Sequence, residues 1–479
     1  MKIENKILIC IFIFALAIRI LFVFSTPLRW WDETVYANLG YDLSINPLDY
    51  SFANNGWSDF IPYCNNDNYC WPNAGFRAPL LPYALSIFFL LKLGFLTKFF
   101  IPFVGALGSV FLYFLGRKFF NREVGILSAA LFAVVPMHVY YSSKILTDVF
   151  VTFFVILAFI SFWKGYEEGK KKYKVLFGVF LALSLLARYT VLWIAPVFLI
   201  YFLIRDKSLC FLKDKYLWLS VLAFFIILIP WMIYGAYHYS TPLGAFIHGF
   251  KAASYWGGIQ NWSYFFQYWG HMFSIIGIIF VFSLIYIFYK KEFLQRKVYL
   301  LLIWIFFFLA MAMVMGHKED RFIMPIVPGV CILSGFFLGK IKKYKKTIFL
   351  LVFLILLASL YFRFSLDSGA GYTKTNTCFF EGNRFIETIN ENAVIITEQS
   401  PLVYYYSRKE THFYPNPWSL SALENLSASY QNKSVYILFS DFDKSLNDER
   451  NIKIKEDISN FEKVFECARD GAYTAVYRV

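Results

Sequence analysis

Long uncharged apolar runs recur along the sequence and constrain its fold more than any other feature. Such runs lie at Val124–Ser143, Tyr216–Tyr237, Gly270–Tyr289 and Val298–Gly316. A helix needs roughly 17 to 25 apolar residues to cross a bilayer core about 30 Å thick. The composition, 58% hydrophobic and only 16% charged, excludes a soluble multidomain enzyme. The sequence therefore predicts a polytopic α-helical membrane protein.

The positions of the basic residues predict how the chain is oriented. Cytoplasmic loops of membrane proteins hold an excess of Lys and Arg, and here these residues collect in short segments. Two loops on one side must be joined by an even number of crossings, so the apolar stretches at 124–163 and 175–204 are each interpreted as two short spans. The prediction is about eleven transmembrane helices, with a cytoplasmic N-terminus and an extracytoplasmic C-terminal part. The basic segments are 117–122, 164–174, 205–215, 290–297 and 340–346.

The chain is predicted to have two domains. Residues 1–362 form the transmembrane domain, whose first span carries Arg19 and lacks the cleavage site of a signal peptide. A first outer loop at about 25–98 is expected to contain interfacial helices. Residues 363–479 are typical of a small soluble extracytoplasmic α/β domain. Its expected strands are Ala393–Thr397, Ser434–Phe439 and Tyr473–Val476, and its expected helices are Glu381–Asn390 and Leu420–Tyr430.

The distribution of charge argues against a nucleic-acid partner, and the cysteines permit disulfides. The net charge of +14 is concentrated in the membrane domain, where it marks topology, so no nucleic-acid partner is expected. The outer segments hold Asn-x-Ser/Thr acceptor sites at Asn261, Asn425 and Asn432. They also hold cysteines that permit two disulfides in an oxidising compartment, although spacing alone leaves both open. These pairs are Cys64 with Cys70 and Cys378 with Cys467.

Carboxylates lie close to the outer ends of two predicted spans. Asp32 and Glu33 follow the interfacial pair Trp30–Trp31, and Asp148 begins the span after the outer turn. A charge is expensive beside lipid, so such a carboxylate is a candidate for function, for example as a base. The alternatives are an acidic helix N-terminus behind an aromatic anchor and, for Asp148, a helix cap. An ionised Asp148 is expected to face a cavity or to pair with Lys144 or Arg188.

Cations lie on the same predicted side. Arg77 precedes a proline-started amphipathic segment, and an arginine there could grip a phosphate through two hydrogen bonds. The alternative is an arginine that reaches ordinary lipid headgroups. The turn His317–Phe322 is dense in ionisable residues, and Lys318 and Arg321 could face one phosphate with Glu319 and Asp320 behind them. The alternative is a surface turn that is paired internally.

The combination of carboxylates and cations on one face suits sugar transfer from a lipid phosphate. The acceptor hydroxyl must lose a proton as it attacks the anomeric carbon, which requires a base on one side. Cations are required on the departing phosphate opposite. Because the phosphate leaves without being protonated, one acid/base group suffices where glycoside hydrolases need two.

Four motifs in order resemble those of the GT-C superfamily of polyprenyl-phosphate-sugar-dependent glycosyltransferases. The resemblance is to the branch that contains the protein O-mannosyltransferases and the bacterial aminoarabinose transferase, and it covers nearly the whole chain. Asp32–Glu33 resembles the acidic motif of the first outer loop, and Arg77–Pro82 the basic-Pro-Pro segment. Pro136–Asp148 resembles the second outer motif, and His317–Phe322 the His-Lys-Glu-x-Arg-Phe turn.

The resemblance implies an inverting transferase that uses a dolichyl- or undecaprenyl-phosphate sugar on the extracytoplasmic face. It implies that Asp32 is the base, and it leaves the acceptor open among glycan, lipid and protein. Ala78 stands where the family commonly has proline, and no MIR-type repeat domain is present. The residues that the resemblance assigns are Asp32, Glu33 and Asp148 for catalysis, and Arg77, His317, Lys318 and Arg321 for the donor phosphate.

Other interpretations stay open on the sequence alone. No cofactor is firmly implied, although a divalent metal could bind if Asp32, Asp148, His138 and His317 met at the outer face. An oligosaccharyltransferase is disfavoured, because its Trp-Trp-Asp motif lies in a large soluble domain. A flippase for lipid-linked sugars would need the prenyl groove and the cations but no base. A non-catalytic membrane subunit that presents the outer domain is the remaining alternative.

Overall fold

The structure is a computed structural model, and its contacts divide the chain into two compact units. It describes residues 3–25, 28, 30–52, 74–255, 259–341, 345–369, 377–389, 392–415, 418–430, 432–442, 449–469 and 471–479. The first unit, called the helical unit, comprises Met1–Ser25 and Gly75–Arg363. The second, called the sheet unit, comprises Thr26–Ala74 and Phe364–Val479.

The helical unit consists of helices joined by short turns. Its early helices are α1 (Ile3–Ser25), α3 (Leu80–Leu90), α4 (Thr97–Phe119), α5 (Arg122–Val134), α6 (Pro136–Ser142), α7 (Thr147–Phe162), α8 (Lys171–Ala187) and α9 (Ile194–Asp206). Its later helices are α10 (Lys215–Tyr239), α11 (Gly244–Tyr255), α12 (Tyr264–Gln267), α13 (Trp269–Phe273), α14 (Ile275–Tyr289), α15 (Arg296–Val314), α16 (Val327–Lys340) and α17 (Lys345–Gly369). Short 3₁₀ helices include Tyr189–Trp193 before α9 and Asp320–Ile326 before α16.

The helices confirm a multi-pass membrane protein. In the described part of the chain, 8 helices are long and apolar enough to cross a membrane, or 9 if α5 and α6 form one bent span. The two other spans among the eleven expected from the sequence fall on helices that are shorter. These are α8, which ends where Arg188 is extended (φ −160°, ψ 121°), and α14, which begins after Ser274 at φ 52°.

Small residues let neighbouring helices approach closely, as is common where helices pack without a hydrophobic driving force. The tightest example is Gly178 of α8, where an added Cβ would lie 2.0 Å from the carbonyl oxygen of Ser220 in α10. Any side chain at position 178 would therefore push these two backbones apart.

The sheet unit is built on a five-stranded sheet in the order β2-β1-β3-β5-β4. Strands β1 (Ala393–Thr397), β2 (Glu410–His412) and β3 (Ser434–Ser440) are parallel, whereas β5 (Ala472–Arg478) pairs antiparallel with β3 and β4 (Glu462–Arg469). Helices cover the sheet; they are Thr377–Thr388, Ser400–Ser407, Leu420–Ala428 and Glu449–Ile458. The α/β class and the strands and helices expected from the sequence are confirmed, and β2, β4 and two of the helices are additional.

Alternation along the central strand β3 gives the sheet unit two cores. Val435, Ile437 and Phe439 join the core that contains Leu423 from the helix Leu420–Ala428. Leu438 joins the opposite core, where apolar side chains of the helices Thr377–Thr388 and Ser400–Ser407 pack. A strand with apolar residues on both faces is typical of a sheet buried between two helix layers.

A helix from the first outer loop completes the sheet unit. This helix, α2 (Trp31–Ile45), packs on the helix Ser400–Ser407 through polar contacts. Asn38 donates to the carbonyl of Pro401 at 2.8 Å, and Tyr404 donates to Asp42. Arg408 donates to Asn38 at 3.2 Å. The division expected from the sequence, which placed the whole 25–98 loop with the transmembrane domain, therefore differs from the structure, because contacts far apart in sequence decide where α2 belongs.

One of the two disulfides that the sequence left open is formed. Cys378 and Cys467 are bonded, with their Cα atoms 5.3 Å apart, and they tie the helix Thr377–Thr388 to β4. The other pair, Cys64 and Cys70, lies outside the described residues.

Removal of the disulfide is expected to destabilise the sheet unit. The bond joins residues 89 positions apart, and closing a loop of that size contributes about 2 to 5 kcal/mol to the free energy of unfolding. We expect Cys378→Ser combined with Cys467→Ser to lower the midpoint of thermal unfolding and to expose the unit to limited proteolysis. Cys210→Ser, at an exposed free cysteine of the helical unit, is the matched control. Equal protease resistance of all variants would contradict the expectation.

Candidate active site

The His317–Phe322 turn places a guanidinium beside two carboxylates. Glu319 accepts two hydrogen bonds from Arg321, from Nε at 2.7 Å and from Nη2 at 2.9 Å. The remaining nitrogen, Nη1, lies 3.9 Å from Oδ2 of Asp148. The turn is thus paired internally, and the planar guanidinium is held in one orientation by its own neighbour.

Asp148 lies in the first turn of α7 and its side chain is completely buried. Oδ1 lies 2.8 Å from Nη1 of Arg188, so the pairing expected from the sequence is confirmed. Arg188 reaches Asp148 because the chain is extended between α8 and the 3₁₀ helix Tyr189–Trp193. A carboxylate at a helix N-terminus is also favoured by the helix dipole. Asp148 therefore lies between two guanidinium groups, those of Arg188 and Arg321.

Substitution of Arg188 is expected to cost stability. Arg188→Met would remove the 2.8 Å ion pair of the buried Asp148, and breaking a buried ion pair from one side costs roughly 3 to 5 kcal/mol. We expect a lower midpoint of thermal unfolding in detergent, partly restored when Asp148→Asn is added, because the uncompensated charge is then removed. A double variant no more stable than Arg188→Met would contradict this account.

Gln260, which the sequence did not indicate, organises the start of the turn. Its amide lies 3.3 Å from Nδ1 of His317, and its side-chain oxygen accepts from the Lys318 backbone at 2.6 Å. The Lys318 ammonium donates to the carbonyl of Gln260 at 2.9 Å and also to that of Met315. Burial lowers the pKa of Lys318. The roles of His317 and Lys318 as phosphate ligands stay predictions, because the contacts of the Lys318 ammonium that the structure shows are to carbonyls.

Asp320 anchors a second group of contacts on the same turn. It accepts from Tyr141 of α6 and, at 2.9 Å, from the backbone N–H of Arg321. Nη2 of Arg363 lies 3.6 Å from Oδ2 of Asp320, and the Arg363 guanidinium lies 4.1 Å from the centre of the Tyr140 ring. The sequence analysis did not assign Arg363 to the site. Its only signal is a charge directly after the last apolar run.

The turn that carries Arg77 is hydrogen-bonded to Tyr189, the residue directly after Arg188. The hydroxyl of Tyr189 is 2.8 Å from the carbonyl of Gly75 and 3.2 Å from that of Arg77. Trp231 of α10 donates to this hydroxyl at 2.7 Å. Because Tyr189 follows Arg188 directly, one short 3₁₀ helix holds both the backbone of the Arg77 turn and the guanidinium that pairs with Asp148.

Asp32 and Glu33 lie in the first turn of α2 and belong to the sheet unit. Glu33 is buried and accepts from the backbone N–H of Trp30 at 3.2 Å, which is the contact of a helix cap. Trp31 stacks on Phe413, with the ring centres 5.5 Å apart. Asp32 stays partly exposed. Of the two carboxylates, Glu33 is buried, and Asp32 is the more accessible to a substrate.

Two of the candidate metal ligands, His138 and His317, have partners of their own. Among the residues that the structure describes, no group of three or more His, Cys, Asp or Glu side chains could hold a metal ion. Nδ1 of His138 lies 2.8 Å from Nη2 of Arg19, and Nε2 of His317 lies 3.1 Å from Glu319. These two histidines thus have separate partners.

Comparison with known proteins finds one family match and several shared folds. Residues 76–234, which contain Arg77, Asp148 and Arg188, match the family model described as dolichyl-phosphate-mannose-protein mannosyltransferase. Two crystal structures of ArnT from Cupriavidus metallidurans, one apo and one bound to undecaprenyl phosphate, each give a TM-score of 0.74 at 12% identity. Each match covers 100% of this chain and 98% of ArnT. The chain thus has the fold of ArnT along its whole length, and the family model matches about a third of it.

An oligosaccharyltransferase is similar over a smaller part of its length. The apo oligosaccharyltransferase from Archaeoglobus fulgidus gives a TM-score of 0.64 at 13% identity, covering 91% of this chain and 69% of that one. No curated protein matches the sequence. The family match over residues 76–234 and the fold shared with ArnT both agree with the resemblance seen in the motifs.

Proposed function

We propose that this protein is an integral-membrane inverting glycosyltransferase that takes its sugar from a polyprenyl monophosphate. The observation that carries the proposal is the Arg321 guanidinium, which Glu319 holds in place beside the buried pair of Asp148 and Arg188. The proposal is supported by the ArnT structure with undecaprenyl phosphate, which shares the fold. The donor would be a dolichyl- or undecaprenyl-phosphate hexose or pentose, and the acceptor a glycan, a lipid or a protein.

In the proposed reaction, a carboxylate removes the proton of the acceptor hydroxyl while its oxygen attacks the anomeric carbon. The bond from that carbon to the phosphate oxygen breaks, and the polyprenyl phosphate leaves with the electron pair. Asp32 is the proposed base because it is the accessible carboxylate of the acidic motif. Arg321 and Arg77 stabilise the negative charge that develops on the leaving phosphate, and Asp148 keeps the arginines oriented.

The proposed topology places the reaction on the extracytoplasmic side, with a cytoplasmic N-terminus and the sheet unit outside. The distribution of Lys and Arg supports this orientation. The disulfide between Cys378 and Cys467 also supports it, because disulfides persist in oxidising compartments. Membrane lipid is the remaining partner, since the exposed faces of the spans are apolar.

The test is sugar transfer by the purified protein in lipid nanodiscs from a panel of radiolabelled polyprenyl-phosphate sugars, with a membrane extract supplying acceptors. We expect label to move from one donor to an acceptor. A parallel reaction with EDTA tests whether a divalent metal takes part. Donor binding without transfer to any acceptor, together with movement of the donor across a liposome bilayer, would instead identify a lipid-linked sugar flippase. Neither binding nor transfer would favour a non-catalytic subunit.

A further inference from the structure

Arg19 is a charged residue that the proposed mechanism does not use. It lies in the membrane-spanning helix α1 and is wholly buried. A charge at such a depth is unfavourable unless it is compensated, and it commonly marks a residue with a specific task. Nη1 of Arg19 donates to the carbonyl of Ala15 in its own helix at 2.8 Å and to that of Ala133 in α5 at 3.0 Å. The contact with Ala133 shows what Arg19 compensates.

The carbonyl of Ala133 lies at a break between α5 and α6. These helices are bent by 57° relative to each other. In a continuous helix the carbonyl of Phe132 would accept from the N–H of residue 136, but Pro136 has none. Nη2 of Arg19 lies 3.4 Å from that carbonyl instead. The guanidinium thus supplies the missing donor, and its charge lies at the negative end of the α5 dipole.

The same guanidinium holds the far side of the break. Nη2 lies 2.8 Å from Nδ1 of His138, and Nε donates to Oγ of Ser142 at 3.2 Å, both in α6. Gly105 of α4 leaves the room for this contact, because a Cβ there would lie 3.0 Å from Nε of Arg19 and 2.7 Å from Oγ of Ser142. One buried side chain therefore bonds the end of α5 and two positions of α6 at once.

Helix α6 carries aromatic residues into the candidate site. Tyr141 donates to Asp320, which accepts from the backbone N–H of Arg321, and the Tyr140 ring lies against Arg363. We propose that Arg19 is a positioning residue: it holds the bend between α5 and α6 and so fixes the turn that carries Arg321. The inference concerns geometry, and it rests on the proposed function only where donor binding is the readout.

The first test measures how firmly α6 is held, without any ligand. Hydrogen exchange of backbone amides reports local opening of a helix. Arg19→Met removes the contacts to His138 and Ser142. Since a hydrogen bond from a charged group contributes about 1.5 kcal/mol or more, we expect the α6 amides to exchange at least about tenfold faster in this variant. Unchanged exchange would overturn the proposal, whatever the protein binds or catalyses.

The second test separates positioning from stability by measuring the affinity for a polyprenyl monophosphate. We expect Arg19→Met to lower the thermal midpoint and to weaken binding about tenfold. Adding Pro136→Ala restores the N–H that Phe132 lacks, so we expect the midpoint to recover while binding stays weak, because the helix is then straight. Arg117→Met, at a half-exposed arginine that pairs with Glu4, should bind as wild type. Recovery of binding together with stability would reduce Arg19 to a structural role.

Discussion

Asp32→Asn is expected to leave a folded protein that binds the polyprenyl-phosphate sugar and turns it over at least about 100-fold more slowly. A positioned base contributes roughly 10² to 10⁴ in rate, and an amide cannot accept the proton of the acceptor hydroxyl. Because Asp32 is partly exposed at the start of α2, its replacement by an isosteric amide should not disturb packing. The measurement is transfer of radiolabelled sugar at saturating donor, with the donor affinity determined separately.

The neighbouring Glu33 provides the control for this prediction. Its carboxylate is buried and accepts from the Trp30 backbone, so Glu33→Gln should lower the thermal midpoint by removing a charge-assisted cap. Turnover by the folded fraction should then stay near the wild-type value. If Glu33→Gln were the inactive variant and Asp32→Asn the active one, the base would be Glu33 and the assignment from the motif would be wrong.

Arg321→Met is expected to weaken the binding of polyprenyl phosphate about 10- to 100-fold. A hydrogen bond to a charged group contributes about 1.5 to 3 kcal/mol, and the Glu319 carboxylate orients this guanidinium in advance. The measurement is the dissociation constant for the phosphate alone, which isolates the grip on the leaving group from the chemical step.

Lys318→Met is the matched comparison for Arg321→Met. The two cations lie on one turn, but the Lys318 ammonium donates to the carbonyls of Gln260 and Met315. We therefore expect Lys318→Met to affect stability more than affinity. If Lys318→Met lost as much affinity as Arg321→Met, Lys318 would also bind the phosphate. If Arg321→Met bound polyprenyl phosphate as tightly as the wild type, Arg321 would not be a phosphate ligand.

The parts of the fold that depend on local pattern could be predicted from the sequence. Uncharged runs such as Val298–Gly316 predicted the membrane helices, and the apolar run at Ser434–Phe439 predicted the strand β3. The bend after α5 depends on Pro136, and the short length of α8 depends on Arg188. A hydropathy profile does not show how such single residues bend or end a helix. The number of full-length spans could not be obtained for the same reason.

The candidate site was predictable where a motif is dense and unpredictable where it depends on contacts between distant segments. The turn around Arg321 stood out because ionisable residues are rare between apolar spans. Gln260 and Arg363 did not, although they bond Lys318 and Asp320, because an amide in a loop and an arginine after a span are both ordinary. Arg188 could be named as a possible partner of Asp148, and the structure shows that this pair forms.

Because α2 packs on a segment that is far away in the sequence, α2 cannot reach its folded contacts until that segment has been synthesised. Asn38 leaves the ribosome 363 residues before its partner Pro401, which at 5 to 20 residues per second is a delay of about 20 to 70 s. During that interval the docking face of α2 has nothing to dock on. Water can bond to the side chains of Asn38 and Asp42 during that interval. The apolar residues Val35 and Leu39, which are buried in the finished fold, stay exposed for the same time and are prone to aggregate. The folded state of α2 therefore depends on a segment that is synthesised much later.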